Sequence, residues 1–385
     1  MNIRRLTLRR AWRTCSAVAC LTVPGLLASC SQDDRLAEGG SPSELAFSVR
    51  ADGYQLETRG TPQNSVSGTA GLLGYKFTDE WASDDRDFIM YNEVLQGSNT
   101  TWKTSKSYLL DQDKKMRFYA YFPYQKDVTQ GMIQMSVEDA STGIPYFTYN
   151  TPATADEQKD LMWATSEDVG YNAEGKLEPI ELQFHHLLSA LKFTVTNGFD
   201  NGTIKSIKLS KIHNTCRFHY ETGVWAKNGS TTIEVSQDLN VPVTTKNTSV
   251  LPLTSETQYF MLLPQTLEES AVLTMVYTNG VRDFTLTFAL GKARWEDGEG
   301  TKHKLEFKQG QVTTLNINVT SVTKMAVNCK LSNWGDGPVF GGDDATTNDM
   351  LFELTLDDWQ TYQGTDPATG ASTVNNIVTG PKIEP

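Results

Sequence analysis

Cysteine and histidine are scarce in this sequence, with five of each among 385 residues. Beyond the first thirty residues, no stretch is apolar enough to span a bilayer as a helix. The sequence also contains no glycine-rich phosphate loop, no nucleophile elbow and no HExxH pattern. We therefore expect no enzymatic activity and no bound cofactor.

Basic residues are also outnumbered by acidic residues. The chain has 34 lysines and arginines against 46 acidic residues, a net charge of −12. Five of the arginines lie within residues 1–29, which hold no acidic residue, so the rest of the chain carries 34 − 5 = 29 basic and 46 acidic side chains, a net −17. Such a surface repels nucleic acid, and we expect no nucleic-acid partner.

His213, Cys216 and His219 are spaced closely enough to suggest a metal site. Side chains alternate between the two faces of a strand, so an extended segment would place Cys216 opposite both histidines. His185 and His186 would face opposite ways for the same reason, and no third ligand accompanies them. We expect no metal at either place.

The first thirty residues have the pattern of a lipoprotein signal peptide. Five arginines precede an apolar run over residues 17–27, which is too short for a comfortable membrane span and favours cleavage. Leu27-Ala28-Ser29-Cys30 resembles the lipobox of lipoproteins. We predict that residues 1–29 are removed and that Cys30 carries the lipid, palmitate included; ordinary secretion is the alternative.

Lipidation of Cys30 would hold the protein at the cell outer membrane, because each buried methylene of the acyl chains contributes about 0.8 kcal/mol. Residues 30–44 are polar and predict a flexible tether. The mature chain keeps two other cysteines, Cys216 and Cys329. Both lie in alternating segments where a small apolar residue would serve, which favours buried free thiols over a disulfide between them.

Alternation of apolar and polar residues with period two dominates the remaining chain, as in residues 45–49, 117–122 and 191–195. Short helical pieces are expected only near 152–159 and 186–190. Many short strands separated by turn residues predict a mostly β protein made of antiparallel β-sandwiches. We place an N-terminal sandwich at 45–178, a C-terminal sandwich at 179–340, and an extension with an extra strand at 341–385.

Several segments, in this order, resemble the fimbrillin (Mfa-like) family of Bacteroidetes surface lipoproteins. After the lipobox come Thr58-Arg59-Gly60-Thr61 and Asp160-Leu161-Met162-Trp163-Ala164, which is similar to the family's DLM-x-A segment. Residues 182–193 resemble its L-x-F-x-H-x-x-(S/A)-x-L-x-F stretch, and residues 310–317 with 331–337 resemble its closing strands. These matches span nearly the whole mature chain.

The resemblance implies two tandem transthyretin-like β-sandwiches and a structural role in a surface fimbria, as a subunit or accessory protein that supports adhesion. Its partners would be other fimbrial subunits, with host or bacterial surface receptors also possible. In polymerising members an Arg-specific protease removes the first strand, which opens a groove for a strand of the next subunit. For that cut we predict Arg59, with Arg50 as second choice.

The candidate donor strand is residues 350–356, in which Met350, Phe352, Leu354 and Leu356 occupy alternate positions and share one apolar face. The alternative is that this strand pairs within its own domain. A different class of function is a glycan-binding surface lipoprotein, because tryptophan rings can stack on sugars. The tryptophans available for such platforms are Trp81, Trp102, Trp163, Trp225, Trp295 and Trp359.

Overall fold

The computed structural model describes residues 45–51, 67–78, 81, 86–98, 101–142, 145–196, 201–227, 231–243, 250–254, 259–296, 299–321, 324–333, 350–353, 355–356, 361–365 and 372–376. Strands make up most of this part of the chain. Its one α-helix is α1 (Val137–Thr142), and two 3₁₀ turns occupy Ala155–Glu157 and Leu290–Lys292. The expectation of a mostly β protein is confirmed.

The strands of the first half are β1 (Phe47–Ala51), β2 (Ser67–Phe77), β3 (Asp87–Ser98), β4 (Thr101–Thr104), β5 (Lys115–Phe122), β6 (Ile133–Gln134), β7 (Tyr146–Asn150), β8 (Met162–Thr165), β9 (Ile180–His186), β10 (Ser189–Thr196), β11 (Gly202–His213), β12 (Thr215–His219), β13 (Val224–Lys227) and β14 (Thr232–Val243). Those of the second half are β15 (Val250–Pro252), β16 (Phe260–Leu262), β17 (Gln265–Thr266), β18 (Val272–Thr278), β19 (Asp283–Phe288), β20 (Ala293–Glu296), β21 (Lys302–Lys304), β22 (Glu306–Phe307), β23 (Gln311–Ser321), β24 (Lys324–Asn333), β25 (Met350–Glu353), β26 (Thr355–Leu356), β27 (Thr361–Thr365) and β28 (Ser372–Asn376).

The N-terminal strands close into a barrel in the order β1-β4-β3-β2-β5-β8-β9. Neighbouring strands are antiparallel except β1 and β9, which run parallel and close the ring. Alternate residues of each strand point inward, so that Phe47, Trp102, Phe118 and Phe184 share one apolar core. Strand β1, the first of the described strands, is therefore an integral part of the barrel.

Strand β5 is buried on both of its faces, from Phe118 to Tyr121. Phe118 points into the barrel, whereas Tyr119 and Tyr121 join a second apolar cluster that contains Phe147 of β7 and Phe218 of β12. The small sheet β13-β12-β7-β6 thus covers the outside of the barrel. A strand that is buried on both faces has a nearly continuous apolar sequence, as residues 118–122 have.

Two further sheets share the third core. One has the order β15-β10-β23-β24-β25, with β16 also paired to β10, and the other is β14-β11-β18-β19. Phe193 and Ile317 from the first sheet pack in one cluster with Leu209 and Leu273 from the second, which is the arrangement of a β-sandwich. Within the first sheet β10 and β23 are parallel, which the expectation of antiparallel sandwiches did not include.

The helical piece expected near 186–190 is wrong, because β9 ends at His186 and β10 begins at Ser189, with Leu187 and Leu188 buried at the crossover. The piece near 152–159 corresponds to the 3₁₀ turn at Ala155–Glu157. The domain boundary at 178 and 179 remains a prediction. Since β9 pairs with β1 and β8, we propose that the division follows His186 instead.

Candidate strand-exchange site

Strand β1 is held in the barrel by alternate apolar side chains. Phe47 is only 2% exposed, and its ring meets that of Phe118 edge-on with 5.2 Å between centroids. Val49 is buried to the same extent opposite Leu182, and Leu45 is buried just ahead of the strand. Removal of β1 would therefore uncover an apolar floor between β4 and β9.

The backbone contacts of β1 are unequal on its two sides. Toward β9 the register runs over five residue pairs, from Phe47 with Ile180 to Ala51 with Phe184, whereas toward β4 it consists of Phe47 with Trp102. Just ahead of the strand, the amide of Ile180 donates a 2.8 Å hydrogen bond to the carbonyl oxygen of Ala46. Departure of β1 would leave the donors and acceptors of β9 unpaired, a ready template for another strand.

The two predicted cleavage sites differ in their setting. Arg50 lies on β1 in register with Gln183, and its exposed side chain is 3.9 Å from Glu181. A protease binds its substrate as an unpaired extended chain, so Arg50 would become a substrate only after β1 left the barrel. Arg59 lies outside the described residues. Both cleavage sites remain predictions, and the lipidation site Cys30 also lies outside the described residues.

The C-terminal segment pairs with its own chain. Strand β25 is antiparallel to β24, with Met350 opposite Leu331 and Phe352 opposite Cys329, and β26 is antiparallel to β20, with Leu356 opposite Ala293. Leu354 lies outside the described residues. The alternative of pairing within the chain is thus realised here, and donation to a neighbour would require this segment to leave the sheet edge that it occupies.

A buried pair of polar residues joins two of the segments that carry the family resemblance. Asp160 and His186 are 7% and 4% exposed, and Nδ1 of His186 lies 2.9 Å from one carboxylate oxygen of Asp160 and 3.1 Å from the other. The contact fixes the end of β9 against the chain entering β8. This pair was not predicted from the sequence, although both residues lie within the two matched segments.

Most of the tryptophans proposed as sugar platforms are packed against other side chains. Trp102 is in the barrel core, and Trp163 and Trp225 contact Phe218 edge-on with ring centroids at 5.2 and 5.1 Å. Trp359 lies outside the described residues. The large hydrophobic side chains that are exposed in the described part of the chain are a leucine and three valines, without an aromatic residue.

The other two tryptophans have charged or aromatic neighbours. Trp81 has two guanidinium groups close to its ring, with Cζ of Arg86 at 4.5 Å and Cζ of Arg117 at 4.4 Å from the ring centroid. Trp295 stacks on His303 with 4.4 Å between ring centroids. The arginines stabilise Trp81 by cation–π contacts, and Trp81 and Trp295 are both half-buried rather than exposed.

The two cysteines of the sequence analysis are both free thiols. Cys329 is buried in the sandwich core, and burial raises the pKa of its thiol to about 12. Cys216 is half-buried on β12, and its Sγ donates to the carbonyl oxygen of Ala226 at 3.0 Å. Within the described ranges, no three histidine, cysteine, aspartate or glutamate residues are grouped as ligands of a metal ion.

A model of the fimbrillin-like family matches residues 71–334 of this chain. The chain belongs to the fimbrillin-like family. The match confirms the resemblance drawn from the motifs, and it supports a structural role in a surface fimbria with other fimbrial subunits as partners. It begins within β2 and ends just after β24, so β1 and the C-terminal segment of this fimbrillin-like chain lie outside it.

Solved structures similar to this fimbrillin-like chain include proteins from Bacteroides, Porphyromonas and Parabacteroides. A candidate cell adhesion protein from Bacteroides ovatus is 15% identical, with a TM-score of 0.47 over 77% of this chain and 99% of its own. The fimbrial anchor protein Mfa2 from Porphyromonas gingivalis is 14% identical, with a TM-score of 0.33 over 76% and 98%. A fimbrial assembly protein from Parabacteroides distasonis is 12% identical, with a TM-score of 0.37 over 82% and 100%.

Curated proteins gave no match to this chain. Among the helices of the described residues, none combines the length and the apolar character needed to cross a membrane.

Proposed function

We propose that this protein is a subunit or accessory protein of a surface fimbria that gives up β1 and accepts a strand of another subunit in its place. The observation that supports this proposal is the position of β1. It is the first strand among the described residues, it is part of the barrel, and it follows the predicted signal peptide and tether. A single cut after it would detach a complete barrel strand.

In this scheme, lipid on Cys30 delivers the chain to the outer membrane and holds it there. Cleavage after Arg59 then separates residues 30–59, which include both the lipid and β1, from the rest of the chain. Dissociation of this fragment would free the subunit from its anchor and open its groove in the same step. Cleavage after Arg50 would need β1 to detach first, which makes Arg59 the better site.

The open groove would favour association strongly. Leu45, Phe47 and Val49 are buried side chains, and burial of each such side chain contributes roughly 1.5–3 kcal/mol. Loss of β1 forfeits that burial and leaves backbone groups of β9 unpaired. A strand with the same alternation from another subunit would restore both contributions.

The C-terminal segment has the alternation that such a groove requires. Residues 45–51 read Leu-Ala-Phe-Ser-Val-Arg-Ala and residues 350–356 read Met-Leu-Phe-Glu-Leu-Thr-Leu. Alignment of Phe47 with Phe352 places an apolar residue at every inward position. We propose this segment as the donor strand, for the groove of a neighbouring subunit.

We propose no catalytic role. The glycan-binding alternative needs exposed aromatic rings, and Trp81, Trp102, Trp163, Trp225 and Trp295 do not supply such a row.

An engineered disulfide that holds β1 in the barrel tests the proposal. Ser48 and Glu181 are register partners on the outer face of β1 and β9, so Ser48→Cys with Glu181→Cys would form a disulfide across the parallel pair. After Arg-specific cleavage we expect the oxidised double variant to stay monomeric and to assemble once a reductant is added. Assembly of the oxidised, cleaved protein at the rate of the Ser48→Cys control would contradict strand release.

A further inference from the structure

We infer that the groove left by β1 selects a strand with a lysine or arginine on its outward face and disfavours the C-terminal segment of this same chain. A different subunit is then the preferred donor, and the chain's own segment fills the groove with about fivefold lower affinity. This inference rests on the proposed strand exchange and adds the chemistry of the partner strand.

The outward face of β1 lies beside a carboxylate. Ser48 is the register partner of Glu181, and the guanidinium of Arg50, which is also on the outward face, lies 3.9 Å from that carboxylate. Both charged side chains are exposed, so the pair contributes modestly to stability. Glu181 of β9 nevertheless favours a positive charge on the outward face of the strand beside it.

Further carboxylates surround the start of β9. A cavity of about 290 Å³ there is lined by Glu167, Asp168 and Glu178 as well as by Glu181. Arg117 pairs with Asp168 at 2.7 Å, and with Arg50 beside Glu181 two of the four carboxylates have a cation; the second of these cations leaves with β1. The surroundings of the groove on the β9 side are therefore acidic.

On the other side of the groove, strand β4 carries one lysine, Lys103. Lys103 is exposed and follows Trp102, the register partner of Phe47. In an antiparallel pair this places Lys103 beside Ala46, and Thr101 beside Ser48. The residue at the position of Ser48 therefore has Glu181 directly opposite, whereas Lys103 is one diagonal step away.

The C-terminal segment brings the wrong charge to this face. With Phe352 in the place of Phe47, Glu353 takes the place of Ser48 opposite Glu181, and Thr355 replaces Arg50. Glu353 is the central residue of the seven, so a reversed strand direction leaves it at the same position. A shift of two residues, which keeps the apolar face inward, places Glu353 or Asp357 in the place of Arg50.

Every arrangement that buries the apolar face therefore sets a carboxylate against the acidic side of the groove. A strand with an arginine at the position of Arg50 would form the pair that β1 forms. Exchange of one exposed attractive pair for a repulsive one is worth about a fivefold change in affinity. This preference should weaken at high salt, because exposed charges are screened.

Peptide binding to the full chain, trimmed with an Arg-specific protease to remove β1, tests this inference. The probes are labelled peptides of residues 45–51 and 350–356, and two variants of the latter, Thr355→Arg and Glu353→Ser, followed by fluorescence anisotropy. We expect the native 350–356 peptide to bind about fivefold more weakly than either variant. With Glu181→Lys in the protein, the native peptide should gain affinity relative to Thr355→Arg.

Equal affinities for the native peptide and both variants, at low salt and with Glu181 intact, would overturn the charge selectivity and leave strand exchange standing. Failure of all four peptides to bind, including residues 45–51, would contradict strand exchange itself and this inference with it. The changes are in the peptides, so a folding defect of the protein cannot mimic the expected result.

Discussion

Truncation of Phe47 to alanine should make β1 leave the barrel far more readily once the chain is cut. Phe47 is only 2% exposed, and its ring packs on Phe118 in the barrel core. A Phe→Ala change in a core costs about 3–5 kcal/mol. Before cleavage, that cost should appear as a lower free energy of unfolding in urea.

After cleavage, the same loss acts on a fragment that is held only by non-covalent contacts. If the lost contacts are absent in the dissociation transition state, about 3–5 kcal/mol corresponds to a release about 100- to 4,000-fold faster. The cut protein is followed by native mass spectrometry, which separates the complex of core and fragment from the core alone. Faster release should be accompanied by faster appearance of oligomers.

Ser48→Ala is the matched control, because Ser48 lies on the same strand with its side chain on the outward face. It should leave both the unfolding free energy and the release rate near those of the wild-type chain. Equal release rates for Phe47→Ala, Ser48→Ala and the wild type would refute the view that inward side chains of β1 hold it in the groove.

Three other outcomes follow from the lipobox, the buried polar pair and the buried thiol. Cys30→Ala should move the protein from the membrane pellet to the soluble exported fraction, and unchanged sedimentation would argue against the anchor. His186→Ala removes the buried partner of Asp160 and should cost about 3 kcal/mol in urea unfolding, whereas the exposed His185→Ala should cost little. Because the pKa of Cys329 is raised to about 12, its thiol stays protonated at pH 8, and iodoacetamide should label it only after unfolding.

Strands could be predicted from the sequence wherever one face of the strand is solvated. Residues 45–49 and 191–195 alternate clearly and lie at β1 and β10. Residues 117–122 indicate a half-buried strand and form β5, but Tyr119 and Tyr121 are covered by the outer sheet, so both faces of the strand are buried. Local pattern therefore accounts for most of the strand positions.

Pairing partners could not be predicted, because period two says which side chains share a face and nothing about which strand lies alongside. The parallel neighbours of β1 and β10 are 133 and 122 positions away, as in Phe47 with Ile180 and Ala190 with Val312. The apolar run His186–Ala190 was misjudged for a related reason. Leu187 and Leu188 are both buried in one apolar cluster where the chain crosses from β9 to β10, so this run does not alternate.

Only part of the candidate strand-exchange site could likewise be predicted from the sequence. The apolar face of residues 350–356 and the arginines at 50 and 59 could be recognised from the sequence. That β1 closes a barrel against β9, and that its Arg50 lies near Glu181, depends on long-range pairing and required the structure. The charge mismatch between the groove and the C-terminal segment follows only when both are considered together.

The most direct test of the central claim is the N-terminal sequence of the assembled form. Purified protein is treated with an Arg-specific protease, run without boiling on a gel, and each band is sequenced from its N-terminus; Arg59→Ala serves as the control. We predict a ladder of bands that all begin at Gly60, and no ladder from the control. Clean trimming to Gly60 with only monomer on the gel, or a ladder whose bands retain residues 45–51, would contradict strand exchange.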